Sequence, residues 1–241
     1  MIELIGASCS YGEGDALSHV DIAIGRGDAL AVIGPNGCGK STLLKVLNGI
    51  IPLREGSYRF DGEEITADSL KQAAFAKRFH QRVGFLFQNS NAQLFCPVVF
   101  DEIAFGPRQM GLEEAEVMKR VEDCIQFLGI AKLKSRVPYH LSEGEKRKVA
   151  LAAVLALNPD VLVLDEPMNG LDPRMKRFLR EVILSLNQSG KTIICSTHDF
   201  KHVDSVFRTA LVLGADHRVA RTGPYREIIE DRDFLRDQNI I

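Results

Sequence analysis

Short apolar runs recur at Ala29 to Ile33, Val83 to Phe87, Val161 to Leu164, Thr192 to Cys195 and Ala210 to Leu213, each bounded by turn residues. Runs of this length, apolar at successive positions and separated by helical patterns, predict a buried and largely parallel sheet. Ser57 to Phe60 and Ile65 flank the turn signal Asp61-Gly62, which predicts a hairpin and so an antiparallel part beside the main sheet. Between Gln88 and Pro159 the strand signal fades. Val117, Val121, Ile125 and Leu128 there take helical spacing, which predicts a helical subdomain inserted in the α/β core. No internal repeat, heptad or low-complexity linker interrupts the chain, so one compact domain with an insertion is expected.

Composition narrows the class. The chain has 241 residues with 45% hydrophobic content, enough for a substantial core. Its formal charge of −2, with acids and bases intermixed, supplies no electrostatic footprint for DNA or RNA, so no nucleic-acid partner is expected. Cys9, Cys38, Cys96, Cys124 and Cys195 are odd in number and widely spaced, which argues against a disulfide framework or zinc cluster and fits a reducing cytoplasm. No apolar run approaches the roughly 18 to 20 residues that span a bilayer, and Met1 to Gly12 lacks signal-peptide character. Any membrane association is expected to be peripheral.

The candidate chemistry begins at Gly34 to Ser41, GPNGCGKS, which fits G-x-x-x-x-G-K-[ST] and follows the apolar run ending at Ile33. A strand, a small-residue loop and a helix starting near Lys40 would aim backbone N–H groups and a helix dipole at phosphate oxygens. Lys40 would reach the β- and γ-phosphates, and the Ser41 hydroxyl would serve Mg²⁺. A second motif is Val161 to Glu166, VLVLDE, an apolar run that stops on adjacent carboxylates. Asp165 is the natural Mg²⁺ partner, and Glu166 could polarise a water in line with the γ-phosphate. Ser142 opens SEGEKRKVALAAVLAL, where Glu145 three residues later completes a capping box on an amphipathic helix. His198 and His202 have the i, i+4 spacing of zinc ligands, but the glutamate of H-E-x-x-H and a third ligand are missing, so that reading is rejected.

Together these residues resemble the ATP-binding cassette ATPases. GPNGCGKS matches the Walker A motif, Gln88 the Q-loop, Leu141 to Glu145 the signature motif, VLVLDE the Walker B motif, Asn169 to Asp172 the D-loop and His198 the switch histidine. The motifs stand in the family's order and cover most of the chain. The resemblance implies that Gly34, Pro35, Asn36, Gly37, Cys38, Gly39, Lys40, Ser41 and Thr42 surround the phosphates and that Tyr11 stacks on adenine. It also implies that Ser41, Gln88 and Asp165 hold Mg²⁺, while Glu166, His198 and Gln88 serve hydrolysis. Two such domains are expected to meet head to tail, with Ser142 and Gly144 contacting the γ-phosphate of the other subunit's ATP. The usual LSGGQ is altered here: Glu143 and Glu145 replace a glycine and a glutamine, and Lys146, Arg147 and Lys148 could offset their charge.

Phe87 to Pro107, FQNSNAQLFCPVVFDEIAFGP, is similar to the helical-subdomain sequence of energy-coupling-factor ATPases, particularly those of cobalt and nickel uptake. The likeness implies a groove shaped by Gln93, Leu94 and Phe95 with Asp101 and Glu102 at its rim. An arginine-bearing coupling helix of a transmembrane subunit would dock there. Internal packing of the subdomain accounts for Leu94, Phe100 and Phe105, which are not read as functional. The tail from Ala210 through Gly223 resembles the family's closing strands, and Pro224 to Gln238 reads as a charged helix.

The expected architecture is thus an α/β P-loop NTPase core, a mostly parallel sheet plus an antiparallel β subdomain, with an inserted helical subdomain. Residues 1–88 and 160–241 form the core and 89–159 the insertion. The expected function is ATP hydrolysis, with ATP and Mg²⁺, at the cytoplasmic face of the membrane. Expected partners are a transmembrane coupling subunit, a substrate-binding membrane subunit and a second ATPase subunit, identical or not. Cobalt or nickel import leads; a vitamin importer of the same architecture, a soluble non-transport cassette and a cassette without turnover are the alternatives.

Overall fold

The computed structural model describes residues 1–11, 14–203 and 205–241, apart from the side chains of Tyr11, Lys201 and His202. In chain order these form strands β1 (Ile2–Tyr11), β2 (Gly14–Ile24) and β3 (Ala29–Ile33), helix α1 (Lys40–Leu47), then β4 (Glu55–Phe60) and β5 (Glu63–Glu64). Helices α2 (Ala67–Lys71) and α3 (Ala73–Arg82) lead to β6 (Val83–Leu86), and α4 (Val99–Gln109), α5 (Glu114–Leu128) and α6 (Glu143–Leu155) follow. The chain then alternates through β7 (Val161–Asp165), α7 (Pro173–Gln188), β8 (Thr192–Ser196), α8 (Phe200–Val203) and β9 (Thr209–Leu213). It closes with β10 (Val219–Pro224), α9 (Tyr225–Glu230) and α10 (Arg232–Asp237).

The five predicted apolar strands, joined by β10, make one six-stranded sheet in the order β10-β9-β3-β8-β7-β6, parallel throughout except for β10 at its edge. Every residue of β3, β6, β7 and β8 is buried, as a sheet covered on both faces requires. The period of two splits each strand between two cores. Ala31 and Ile33, with Leu162 and Leu164, join α4 to α7 on one face, while Leu30 and Val32, with Val161 and Val163, join α1 on the other. Each fully buried Val, Leu or Ile contributes about 1.5 to 3 kcal/mol of transfer free energy, so both faces stabilise the strands that carry the site.

The second core is closed by an antiparallel sheet in the order β2-β1-β4-β5. Asp61 and Gly62 both take positive φ, 50° and 83°, giving the two-residue hairpin turn that Asp-Gly favours. Ile65 lies past β5 and is held by its N–H to the Tyr58 carbonyl at 2.8 Å. Strands β1 and β2 do not show as continuous apolar runs because one face is solvated, so buried and exposed positions alternate along β2.

In the insertion, Val117, Val121, Ile125 and Leu128 all point into the first core from α5. The expected single helix over Pro224 to Gln238 is instead two. Asp231 ends α9, and its carboxylate caps α10 by accepting from the Phe234 N–H at 3.1 Å while pairing with Arg221 at 2.8 Å. Among the described residues no helix is long and apolar enough to cross a membrane.

Candidate functional site

The C-terminal ends of β3, β6, β7 and β8 open onto a cleft of about 810 Å³, lined by Asn36, Lys40, Ser41, Gln88, Glu166 and His198 among others. That is where open α/β sheets place their ligands. Gly34, Pro35, Gly37, Gly39 and Thr42 complete the loop side of the wall. Gly39 has φ 104°, and a Cβ there would stand 2.3 Å from the Ala16 carbonyl oxygen, so the loop tolerates no side chain at its last turn. At Gly34 a Cβ would fall 2.5 Å from both the Cys38 Sγ and the Leu213 carbonyl oxygen.

Gly39 as N-cap supplies no side-chain acceptor to α1, and no acid stands in its first turn. The first N–H groups of that helix are therefore left for an external anion. Lys40 is only 7% exposed, and its Nζ donates to the carbonyls of Gly34 at 2.8 Å and Pro35 at 2.9 Å. This folds the ammonium across the loop. Cys38 is the exception in the motif: its side chain packs in the second core, burial pushes its thiol up, and the loop uses its backbone alone.

Asp165 ends β7 in register with Ser196 on β8. The buried Ser196 hydroxyl donates to Asp165 Oδ1 at 2.6 Å and accepts from the Glu166 N–H at 2.9 Å, joining the two acids through one oxygen. Glu166 has φ 43°, a left-handed conformation costing about 1 to 2 kcal/mol in a side-chain-bearing residue. Its Oε2 meets His198 Nδ1 at 3.2 Å, Asn169 Nδ2 at 3.3 Å and Gln88 Nε2 at 3.4 Å. Gln88, Glu166 and His198, far apart in the chain, are thus brought to one carboxylate. Asp165 is buried behind it and is not on the cleft wall.

Hydroxyl, amide and carboxylate oxygens at Ser41, Gln88 and Asp165 are hard donors few in number, which fits Mg²⁺ carrying waters of its own. Among the described residues no cluster of histidine, cysteine and acid side chains could hold another metal. The His202 side chain lies outside the described residues, as does that of Tyr11.

Ser142 and Gly144 do not reach this cleft. They line a separate groove of about 970 Å³ with Gly170, Leu171 and Asp172. Ser142 caps α6, and Glu145 returns to accept from the Ser142 N–H at 2.9 Å and hydroxyl at 2.8 Å, which holds its carboxyl below the usual range. The expected charge compensation is present, by different routes. Lys146 pairs with Glu143 at 3.3 Å, Arg147 feels Glu143 from further off while its guanidinium turns inward to backbone carbonyls, and Lys148, seated 3.9 Å over the Phe178 ring, helps lower the Glu145 carboxyl.

The groove after Gln88 also differs from expectation. Gln93 braces the end of β6 by accepting from the Phe87 N–H at 3.2 Å. Glu102 is no rim acid: it is 4% exposed and accepts from the N–H groups of Phe95 at 2.9 Å and Cys96 at 2.7 Å. Asp101 remains at the surface, paired with Arg108 at 3.2 Å. Leu94 and Phe100 pack on the first core, whereas Phe105 is 41% exposed and meets the exposed Phe95 edge-on at 4.8 Å. These two rings flank a hollow of about 240 Å³ whose wall includes Gln93, Gly84 and Leu157.

Ser196, Asn169 and Arg147 are parts of this arrangement for which the linear pattern assigns no such contact. Their partners are set by strand register and helix packing, and the one sequence signal is that Ser196 ends an apolar run two residues before His198.

Comparison with known proteins bears on this geometry. The sequence profile of the ABC transporter family matches residues 17–169. The nickel import ATP-binding protein LarO of Lactiplantibacillus plantarum is 42% identical over 91% of this chain and 91% of its own length. The energy-coupling factor transporter ATP-binding protein EcfA of Methanothermobacter thermautotrophicus is 40% identical over 98% of this chain and 75% of its own. Among solved structures, cbiO1 of Clostridium perfringens, part of the ABC transporter complex cbiONQ, superposes with a TM-score of 0.84 at 32% identity, covering 99% of this chain and 94% of that one.

Proposed function

The chain belongs to the ABC transporter family and is an ATPase of that family, and from this premise we propose that it powers an energy-coupling-factor importer for nickel or cobalt ions. The observation that carries the importer reading is the exposed Phe95–Phe105 pair beside the hollow at Gln93, one loop away from the hydrolytic carboxylate. An apolar hollow with aromatic walls suits one face of an amphipathic helix from a transmembrane coupling subunit. The likeness to LarO and EcfA supports the branch and the metal.

In this reading residues 1–88 and 160–241 bind nucleotide and 89–159 meet the membrane partner, peripheral to the cytoplasmic face. The loop amides from Gly34 to Ser41 and the Lys40 ammonium take the β- and γ-phosphates, with Thr42 beside them and Tyr11 on the adenine. Ser41, Gln88 and Asp165 would hold Mg²⁺, which would supply charge neutralisation at the phosphate oxygens. Glu166 Oε2 orients a water and receives its proton as the water oxygen attacks the γ-phosphorus and the bond from that phosphorus to the bridging oxygen breaks, ADP leaving with the electron pair. Gln88, Asn169 and His198 hold that carboxylate in line, and Ser196 fixes the backbone from which it projects. Ser142 and Gly144 complete the site of a second ATPase subunit, where the α6 N-terminus adds its dipole.

The test is accumulation of radioactive nickel and cobalt in cells lacking this chain. Wild-type complementation is expected to restore uptake of one of the two ions, and Lys40→Ala, which removes a charge-assisted phosphate contact, is expected not to. Unchanged ion uptake with lost vitamin uptake would reassign the substrate.

A further inference from the structure

Arg147 is 4% exposed, yet among the described residues no carboxylate lies within ion-pair distance of it, Glu143 and Asp165 acting on it only from further off. It donates from one terminal nitrogen to the Phe87 carbonyl at 2.8 Å and from the other to the Gln88 carbonyl at 2.5 Å, while its Nε–H has no partner among the described residues. Desolvating a guanidinium is costly, and an apolar side chain of similar volume would avoid that cost. What the planar fork adds is direction: two N–H groups fix the orientation of two successive peptide units.

Those peptide units are where β6 ends and the Gln88 side chain departs for Glu166. Arg147 itself stands five residues beyond Ser142 on α6, about 7.5 Å along a rigid helix from the signature turn. A second link runs in parallel, with Glu143 accepting from Asn91 at 3.4 Å and from Lys146 at 3.3 Å. The loop bearing Gln88 is therefore fastened to the element that carries Ser142 and Gly144.

We propose that Arg147 is a positioning residue for hydrolysis: by gripping the Phe87 and Gln88 carbonyls it makes the placement of Gln88 beside Glu166 follow the position of the signature turn. This rests on the reading above, in which Gln88 serves one nucleotide and the signature turn serves the other. The two sites of a dimer are then linked through one buried side chain in each chain.

The experiment compares Arg147→Lys, Gln88→Ala and the double variant in the purified full chain. Arg147→Lys keeps the cation and loses the fork. It is expected to lower kcat about tenfold with KM for ATP within about twofold, as misplacement of a catalytic neighbour does. Gln88→Ala should lower kcat similarly, and the double variant should be no worse than Gln88→Ala alone, because both changes act through one side chain. Losses that multiply, or wild-type kcat in Arg147→Lys beside an impaired Gln88→Ala, overturn the inference and leave the reading of Gln88 standing. Wild-type kcat in Gln88→Ala overturns both. Hydrogen exchange reads the contact without turnover: amides of residues 87–92 should exchange about tenfold faster in Arg147→Lys while the core strands stay protected. Unchanged exchange there overturns the grip itself.

Discussion

At the scale of single residues the site depends on a few polar atoms with no spare partners. Ser196 is the sharpest case, since one buried hydroxyl serves both Asp165 Oδ1 and the Glu166 N–H. Removing it leaves a buried acceptor and a backbone donor unpaired, at a cost of about 1 to 3 kcal/mol. Ser196→Ala is expected to lower the unfolding free energy by that amount, read from the shift in urea midpoint, and kcat by about tenfold, because the left-handed turn at Glu166 loses its tether. Denaturant titration and steady-state kinetics check the two effects, and a stability loss with unchanged kcat would confine Ser196 to folding. Glu102 shows the opposite lesson. Its charge marks it for the surface, but two backbone N–H groups receive it in the interior.

At the scale of elements, the start of α6 is held by the reciprocal bonds of Ser142 and Glu145. The Ser142 N–H and hydroxyl favour the Glu145 carboxylate and lower its pKa. The folded pKa lies below the unfolded one, so this stabilisation is present above about pH 4.3 and is lost as pH falls through the folded value. Glu145→Gln can still form the reciprocal cap without a titrating group. The variant is expected to lose less stability than the parent between about pH 5 and pH 3, measured as urea midpoint against pH. Equal acid sensitivity in both chains would remove Glu145 from the acid response. The tail teaches a related point, because the charged stretch predicted as one helix is divided at Asp231, whose side chain caps the second segment.

At the scale of the whole molecule, Ser142 and Gly144 face a groove separate from the cleft that holds Lys40 and Glu166. A second ATPase subunit would bring the two together. Glu166→Gln retains the shape of the cleft and removes the proposed base, so ATP with Mg²⁺ is expected to trap a dimer that elutes at twice the monomer mass by light scattering. A monomer that binds ATP would assign the second cassette to a different chain. The sequence by itself determined the buried parallel strands, the glycine-rich loop before α1, the adjacent acids and the capping box, because each rests on local spacing or on a continuous apolar run. Only the tertiary structure decided that Gln88, Asn169 and His198 converge on Glu166, that Ser196 joins the two acids, that Glu102 is interior and that Arg147 grips the Gln88 loop. Those contacts depend on strand order, register and helix docking, which bring together residues up to 78 positions apart and leave no period in the chain.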